Sequence, residues 1–150
     1  MTPNKLDNKD ALKFIFAGNS IFTALNTKSQ NRFTYKLKKA EDSNLFFVYV
    51  LTGSDNYSYV GFCTNGVYKH GKKSKISENT QSISVFKYIL EKLKSGTLVD
   101  FVEIWHQGLC GKCGRRLTVP QSIEIGIGPD CINKLKKIDK RDKFLDLILC

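Results

Sequence analysis

Cys110, Cys113 and Cys131 stand in the stretch CGKCGRRLTVPQSIEIGIGPDC. Thiolates are soft metal ligands, and a C-x2-C pair on a tight turn aims two sulfurs at one point. Gly111 and Gly114 sit in that turn and are expected to supply the positive φ it needs. The third thiol follows Gly128-Pro129. Proline suits the first turn of a helix, so Cys131 is expected to project from a helix start toward the pair. The chemistry indicated is metal binding, with zinc the expected ion. A structural Zn²⁺ takes four ligands. His106, four residues before Cys110, is the expected fourth, giving H-x3-C-x2-C-x17-C. Cys150, Cys63, His70 and a carboxylate are the alternatives. Three unrelated buried thiols would leave the C-x2-C between glycines unexplained. A thioredoxin-like redox pair would need a βαβ setting, which the surrounding pattern lacks.

Two sets of cations accompany the cluster. Arg115 and Arg116 follow the second cysteine directly, where a rigid turn would present them to phosphates. The alternative for Arg115 is a bond to the turn's own carbonyls or shielding of thiolate charge. Lys69, Lys72, Lys73 and Lys75 fall in KHGKKSK, a basic loop suited to a phosphate backbone, although any one lysine there is more readily read as just solvated. Tyr35, Tyr57, Tyr59 and Trp105 are candidates for a base-stacking platform, against the commoner fate of aromatics as core. Further on, Lys134, Lys136, Lys137, Lys140, Arg141 and Lys143 are interleaved with Asp139, Asp142 and Asp146, as on a salt-bridged helix surface.

Signs of catalysis are few. There is no nucleophile elbow and no glycine-rich phosphate loop. Zinc deaminases also use Cys/Cys/His sites, but their H-x-E and P-C-x-x-C elements are missing: Leu109 precedes Cys110, and no glutamate follows His106 by two. A catalytic zinc would require an open coordination position, which His106 as a ligand would fill.

The elements that must position these residues read as follows. Residues 8–17 pattern as a short helix ended by Gly18, and 20–26 as a strand. Residues 31–39 alternate cleanly, with Phe33, Tyr35 and Leu37 on one face. The nearly continuous apolar run 45–52 predicts a central strand buried on both faces. Residues 57–64 predict a strand in which alternation puts Cys63 with Tyr57, Tyr59 and Gly61. Asn65-Gly66 then marks a hairpin into VYKH. Ile83, Phe86, Ile89, Leu90 and Leu93 recur at helical spacing over 80–95, and Ser95-Gly96 stops that helix. Residues 98–106 predict a strand leading into the cluster, and the chain beyond Cys131 a helix to its end. The expected fold class is α+β: an antiparallel sheet with a packed helix, then a treble-clef-like zinc element (knuckle, short hairpin, helix) and a C-terminal helix. Residues 1–105 form the sheet region and 106–150 the zinc element, sharing one core.

Composition narrows the partners. The 150 residues carry 24 Lys and Arg against 14 Asp and Glu, a net charge of +10. Three thiolates subtract three charges and a bound Zn²⁺ restores two, leaving +9. So basic a chain favours anionic partners. No apolar run approaches the ~18 residues of a membrane span, and the first residues lack a signal peptide's apolar core. A cytoplasmic protein without membrane association is expected, in a compartment that keeps thiols reduced.

The stretch WHQGLCGKCGRRLTVPQSIEIGIGPDC resembles a family of uncharacterised zinc-binding domains frequent in tailed bacteriophages. That family's pattern is C-x2-C-G-R-x-L-T-x-P-x-S-I-x-x-G-I-G-P-x-C. Cys110, Cys113, Gly114, Arg115, Leu117, Thr118, Pro120, Ser122, Ile123, Gly126, Ile127, Gly128, Pro129 and Cys131 match it. Upstream, RFTYKLKK, FVYVLTGSDNYSYVGF and VEIWHQG resemble the N-terminal parts of small phage proteins that carry the domain. The resemblance implies zinc and a phage source, and no activity. The expected function is a phage accessory protein that binds DNA or RNA, with zinc structural and the cytoplasm of an infected bacterium as its place of action. The alternative is a phage-encoded inhibitor that binds a host nucleoprotein or defence enzyme.

Overall fold

The computed structural model describes residues 4–141, and side chains as far as Leu135. Cys150, Lys143 and the rest of the expected terminal helix beyond Arg141 lie outside the described residues. The side chains of Lys136, Lys137, Lys140 and Arg141 do as well.

The architecture is α+β. Seven strands, β1 (Lys5–Leu6), β2 (Asn19–Asn26), β3 (Arg32–Lys39), β4 (Leu45–Leu51), β5 (Tyr57–Thr64), β6 (Val67–His70) and β7 (Val102–His106), form one sheet in the order β1-β7-β2-β3-β4-β5-β6. All pairings are antiparallel. Consecutive hairpins build β2 to β6, and Asn65 and Gly66 supply the left-handed turn that returns β5 into β6. The chain then crosses back through α2 (Gln81–Ser95) to lay β7 against β2. The two-residue β1, which carries no sequence signal of its own, closes the edge beside β7.

One face of the sheet is the core face. Ser20, Phe22, Ala24, Tyr35, Leu37, Val48, Val50 and Ile104 are buried there beneath α1 (Asn8–Ile15) and α2. Phe86 of α2 anchors the layer, with ring centroids 5.1 Å from Tyr35, 5.5 Å from Tyr68 and 6.4 Å from Phe22. The Tyr35 hydroxyl donates to the Ser82 carbonyl at 2.7 Å, stitching β3 to the start of α2. Tyr35 is therefore core, not a stacking platform. Gly96, in the left-handed conformation, ends α2 where the sequence placed the stop.

The other face corrects the expectation for β4. Phe46, Val48 and Val50 are buried, but Phe47 is 36% exposed, and no outward-facing residue of β2 to β6 is buried. The run is apolar on both sides although only one is covered. A bulge at Val48/Tyr49 makes a second correction: Val60 is an extra residue, so Gly61 and Cys63 turn inward while Tyr57 and Tyr59 stay outward. Simple alternation had grouped all four. Cys63 is fully buried, and burial pushes its thiol pKa up to about 12. It behaves as a small packed residue.

Candidate metal centre

The segment after β7 folds back on itself at once. Cys110 N–H donates to the Arg115 carbonyl, Gly114 N–H to the Cys110 carbonyl and Leu117 N–H to the Gly108 carbonyl, at 2.7–2.9 Å. Leu109 and Arg116 form a bridge across this turn. The link to the third cysteine is α3 (Pro120–Ile125), a short helix where a hairpin was expected. α4 (Pro129–Arg141) starts at the predicted proline and carries Cys131 in its first turn.

The Sγ atoms of Cys110, Cys113 and Cys131 lie within 4.8 Å of one another, and none of the three is in a disulfide. Three sulfurs around one point are a donor set that could hold a metal ion. Cys110 is the best buried, at 1% exposure. Burial works against its thiolate. The Gly128 N–H at 3.3 Å, with help from the amides of Cys113 and Lys112, outweighs that and brings its pKa down to about 7. At Cys131, burial together with the neighbouring sulfurs pushes the thiol up to about 11. A thiolate at Cys131, crowded by these sulfurs, would be relieved by a shared cation.

His106 stands outside this group. It is 3% exposed on the core face of β7, with its ring 5.7 Å from that of Phe14. Nδ1 accepts from the Gly108 N–H at 2.9 Å and Nε2 donates to the Ile123 carbonyl at 2.5 Å. Both ring nitrogens are thus committed in a neutral imidazole, and burial lowers its pKa below the usual 6.5. The expected fourth ligand is instead a strut between the end of β7 and α3. Sequence spacing cannot separate the two roles, because both need an imidazole at the strand end. The alternatives also lie elsewhere: Cys63 is in the core, and His70 on β6 binds the Tyr68 hydroxyl and the Ile76 carbonyl. Cys150 is outside the described residues.

Close packing fixes the centre to the sheet. Gly111 N–H donates to the Gly126 carbonyl, and the Gly111 carbonyl accepts from Asn19 N–H at 2.7 Å. A Cβ at Gly111 would come within 2.8 Å of the Phe14 ring, and one at Gly126 within 2.4 Å. Gly111 is therefore required for contact with α1 and not for a positive φ. Gly114, at φ 78°, supplies the left-handed turn. Cys110, Leu117, Ile127 and Cys131 belong to the same buried cluster as Phe14, Phe22 and Phe86.

The candidate binding cations are exposed but not together. Arg115 and Arg116 flank the cysteine turn beyond β7, while Lys69, Lys72, Lys73 and Lys75 are at β6 and the loop after it. Five strand spacings separate β7 from β6, about 24 Å along the sheet.

A family model described as a family of unknown function (DUF6011) matches residues 106–136, the span of this centre. No curated protein and no solved structure matches the chain.

Proposed function

We propose that the protein is a small phage accessory protein that binds nucleic acid, DNA or RNA, through its basic faces. In this reading Cys110, Cys113 and Cys131 hold Zn²⁺ in a treble-clef-like element whose role is structural. The supporting observation is unneutralised charge. Among the described residues only two ion pairs form, Lys5–Glu103 and Lys87–Glu78. Lys38, Lys39, Lys69, Lys72, Lys73, Lys75, Arg115 and Arg116 are all exposed, and none has a carboxylate partner among the described residues. A fold gains little from such a distribution, whereas a polyanion bound to it releases counterions. The motif at Cys110–Cys131 supports the phage source. Three thiolates suit zinc in a reducing cytoplasm, with the fourth position left to a donor outside the trio.

The test is a titration of labelled DNA and RNA oligonucleotides at several salt concentrations. Binding should weaken steeply with salt, and replacing Lys72, Lys73 and Lys75 together by Gln should flatten the slope by about 2–3 units. Arg116→Ala should cost more than any single lysine, because a guanidinium on a stiffened turn loses less entropy on docking. No binding to any oligonucleotide at low salt would refute nucleic-acid binding. It would direct attention to a host nucleoprotein met by the same faces, to be sought by pull-down from host lysate.

A further inference from the structure

The open face of the sheet has a composition that core packing does not explain. Register places Lys38, Phe47, Phe62 and Lys69 in one row across β3 to β6. Ile21, Lys36, Tyr49 and Tyr59 form the next row across β2 to β5. Phe47 and Tyr49 each meet the Tyr59 ring edge-on, at 6.3 and 6.0 Å, and Lys36 Nζ stands 5.6 Å over the Tyr57 ring. The Tyr59 ring in turn lies over Gly71, where a Cβ would come within 2.6 Å of it. These rings are braced by one another and by backbone, yet none is buried. Among the described residues, Lys5, Arg32, Lys36, Lys38 and Lys69 are the cations of these strands on this face. The carboxylates there are Glu103, held by Lys5 at 3.1 Å, and Asp55 at the rim beside Tyr57.

A bulge between β4 and β5 adds a local bend to this face. The result is a palm floored by aromatic rings and set with cations.

We infer that this palm binds single-stranded nucleic acid, with Phe47, Tyr49 and Tyr59 stacking on bases and Lys36, Lys38 and Lys69 contacting phosphates. The inference rests on the nucleic-acid reading above and sharpens it to unpaired strands and to a surface distinct from Arg115, Arg116 and the loop after β6. Charge complementarity selects a polyanion, and braced, uncovered rings select one with flat apolar faces. Rings already fixed by their neighbours lose little freedom on stacking.

The chain's one tryptophan, Trp105, lies on this face, paired in register with Thr23 of β2, and reports occupancy directly. The experiment adds oligo(dT), oligo(rU) and a duplex of equal length to the full chain, following Trp105 emission and its quenching by acrylamide. Single strands should change Trp105 emission and protect it, and should bind more tightly than the duplex. Phe47→Ala should weaken single-strand binding on the order of tenfold. Lys36→Gln with Lys38→Gln should lower the salt slope by about 1–2 units. An unchanged melting temperature for the exposed Phe47→Ala variant separates lost binding from lost folding. Binding that survives these changes but is abolished by replacing Lys72, Lys73 and Lys75 would overturn the palm and leave nucleic-acid binding standing. Absence of all binding would overturn both. A Trp105 as shielded in the free protein as a core tryptophan would show the palm filled by another part of the chain, and that too would overturn the inference.

Discussion

At the residue scale the instructive case is His106. Spacing four residues ahead of a C-x2-C made it the natural fourth ligand, but its two nitrogens serve Gly108 and Ile123. His106→Ala should therefore leave metal content unchanged. It strands a half-buried carbonyl and a half-buried N–H and empties space in the core, so stability should fall by about 2–4 kcal/mol, measurable by chemical denaturation. A pH dependence goes with this. Burial holds the folded pKa below the unfolded value of 6.5, so the unfolded chain takes up the proton first. The stability tied to the neutral imidazole is complete above about pH 6.5. It declines as pH falls below that and levels off beneath the folded pKa. The Ala variant should lack this component. Loss of bound metal in His106→Ala protein that is still folded would restore the histidine to the shell.

Among the elements, the contact of α1 with the cysteine segment decides whether the centre is held against the sheet. Phe14 is fully buried between Gly111 and Gly126. Gly126 also has φ 77° as the cap of α3. Gly126→Ala should combine a clash with a left-handed penalty and destabilise by more than about 2 kcal/mol. Gly114→Ala incurs the φ penalty against one side-chain contact at 3.1 Å and should cost less. Equal melting temperatures for the two variants would contradict this account of the docking. Much at this scale was legible beforehand. The periodicity of Ile83, Phe86, Ile89, Leu90 and Leu93, the alternation in β3 and the Asn65-Gly66 turn each reflect a local rule strong enough to survive tertiary packing. The misses have physical causes. The bulge adds a residue without any compositional mark, β1 is an edge fixed only by its partner, and α3 replaces the expected hairpin in a segment with no strand or helix period. The run 45–52 read as doubly buried because its outward rings are as apolar as core residues, although they remain uncovered.

For the whole molecule, one buried cluster runs from the sheet face through α1 to Cys110, Ile127 and Cys131. A metal held by the three thiols would therefore stabilise more than its own loop. The most direct check is elemental analysis of protein purified and folded without added metal, on wild type and on Cys131→Ser. The account predicts one zinc per chain in wild type, loss of that zinc in the variant, and a lower melting temperature on chelation, since ligation free energy is folding free energy. Less than half a zinc per chain in folded wild-type protein, or a melting temperature that chelators do not move, would contradict it.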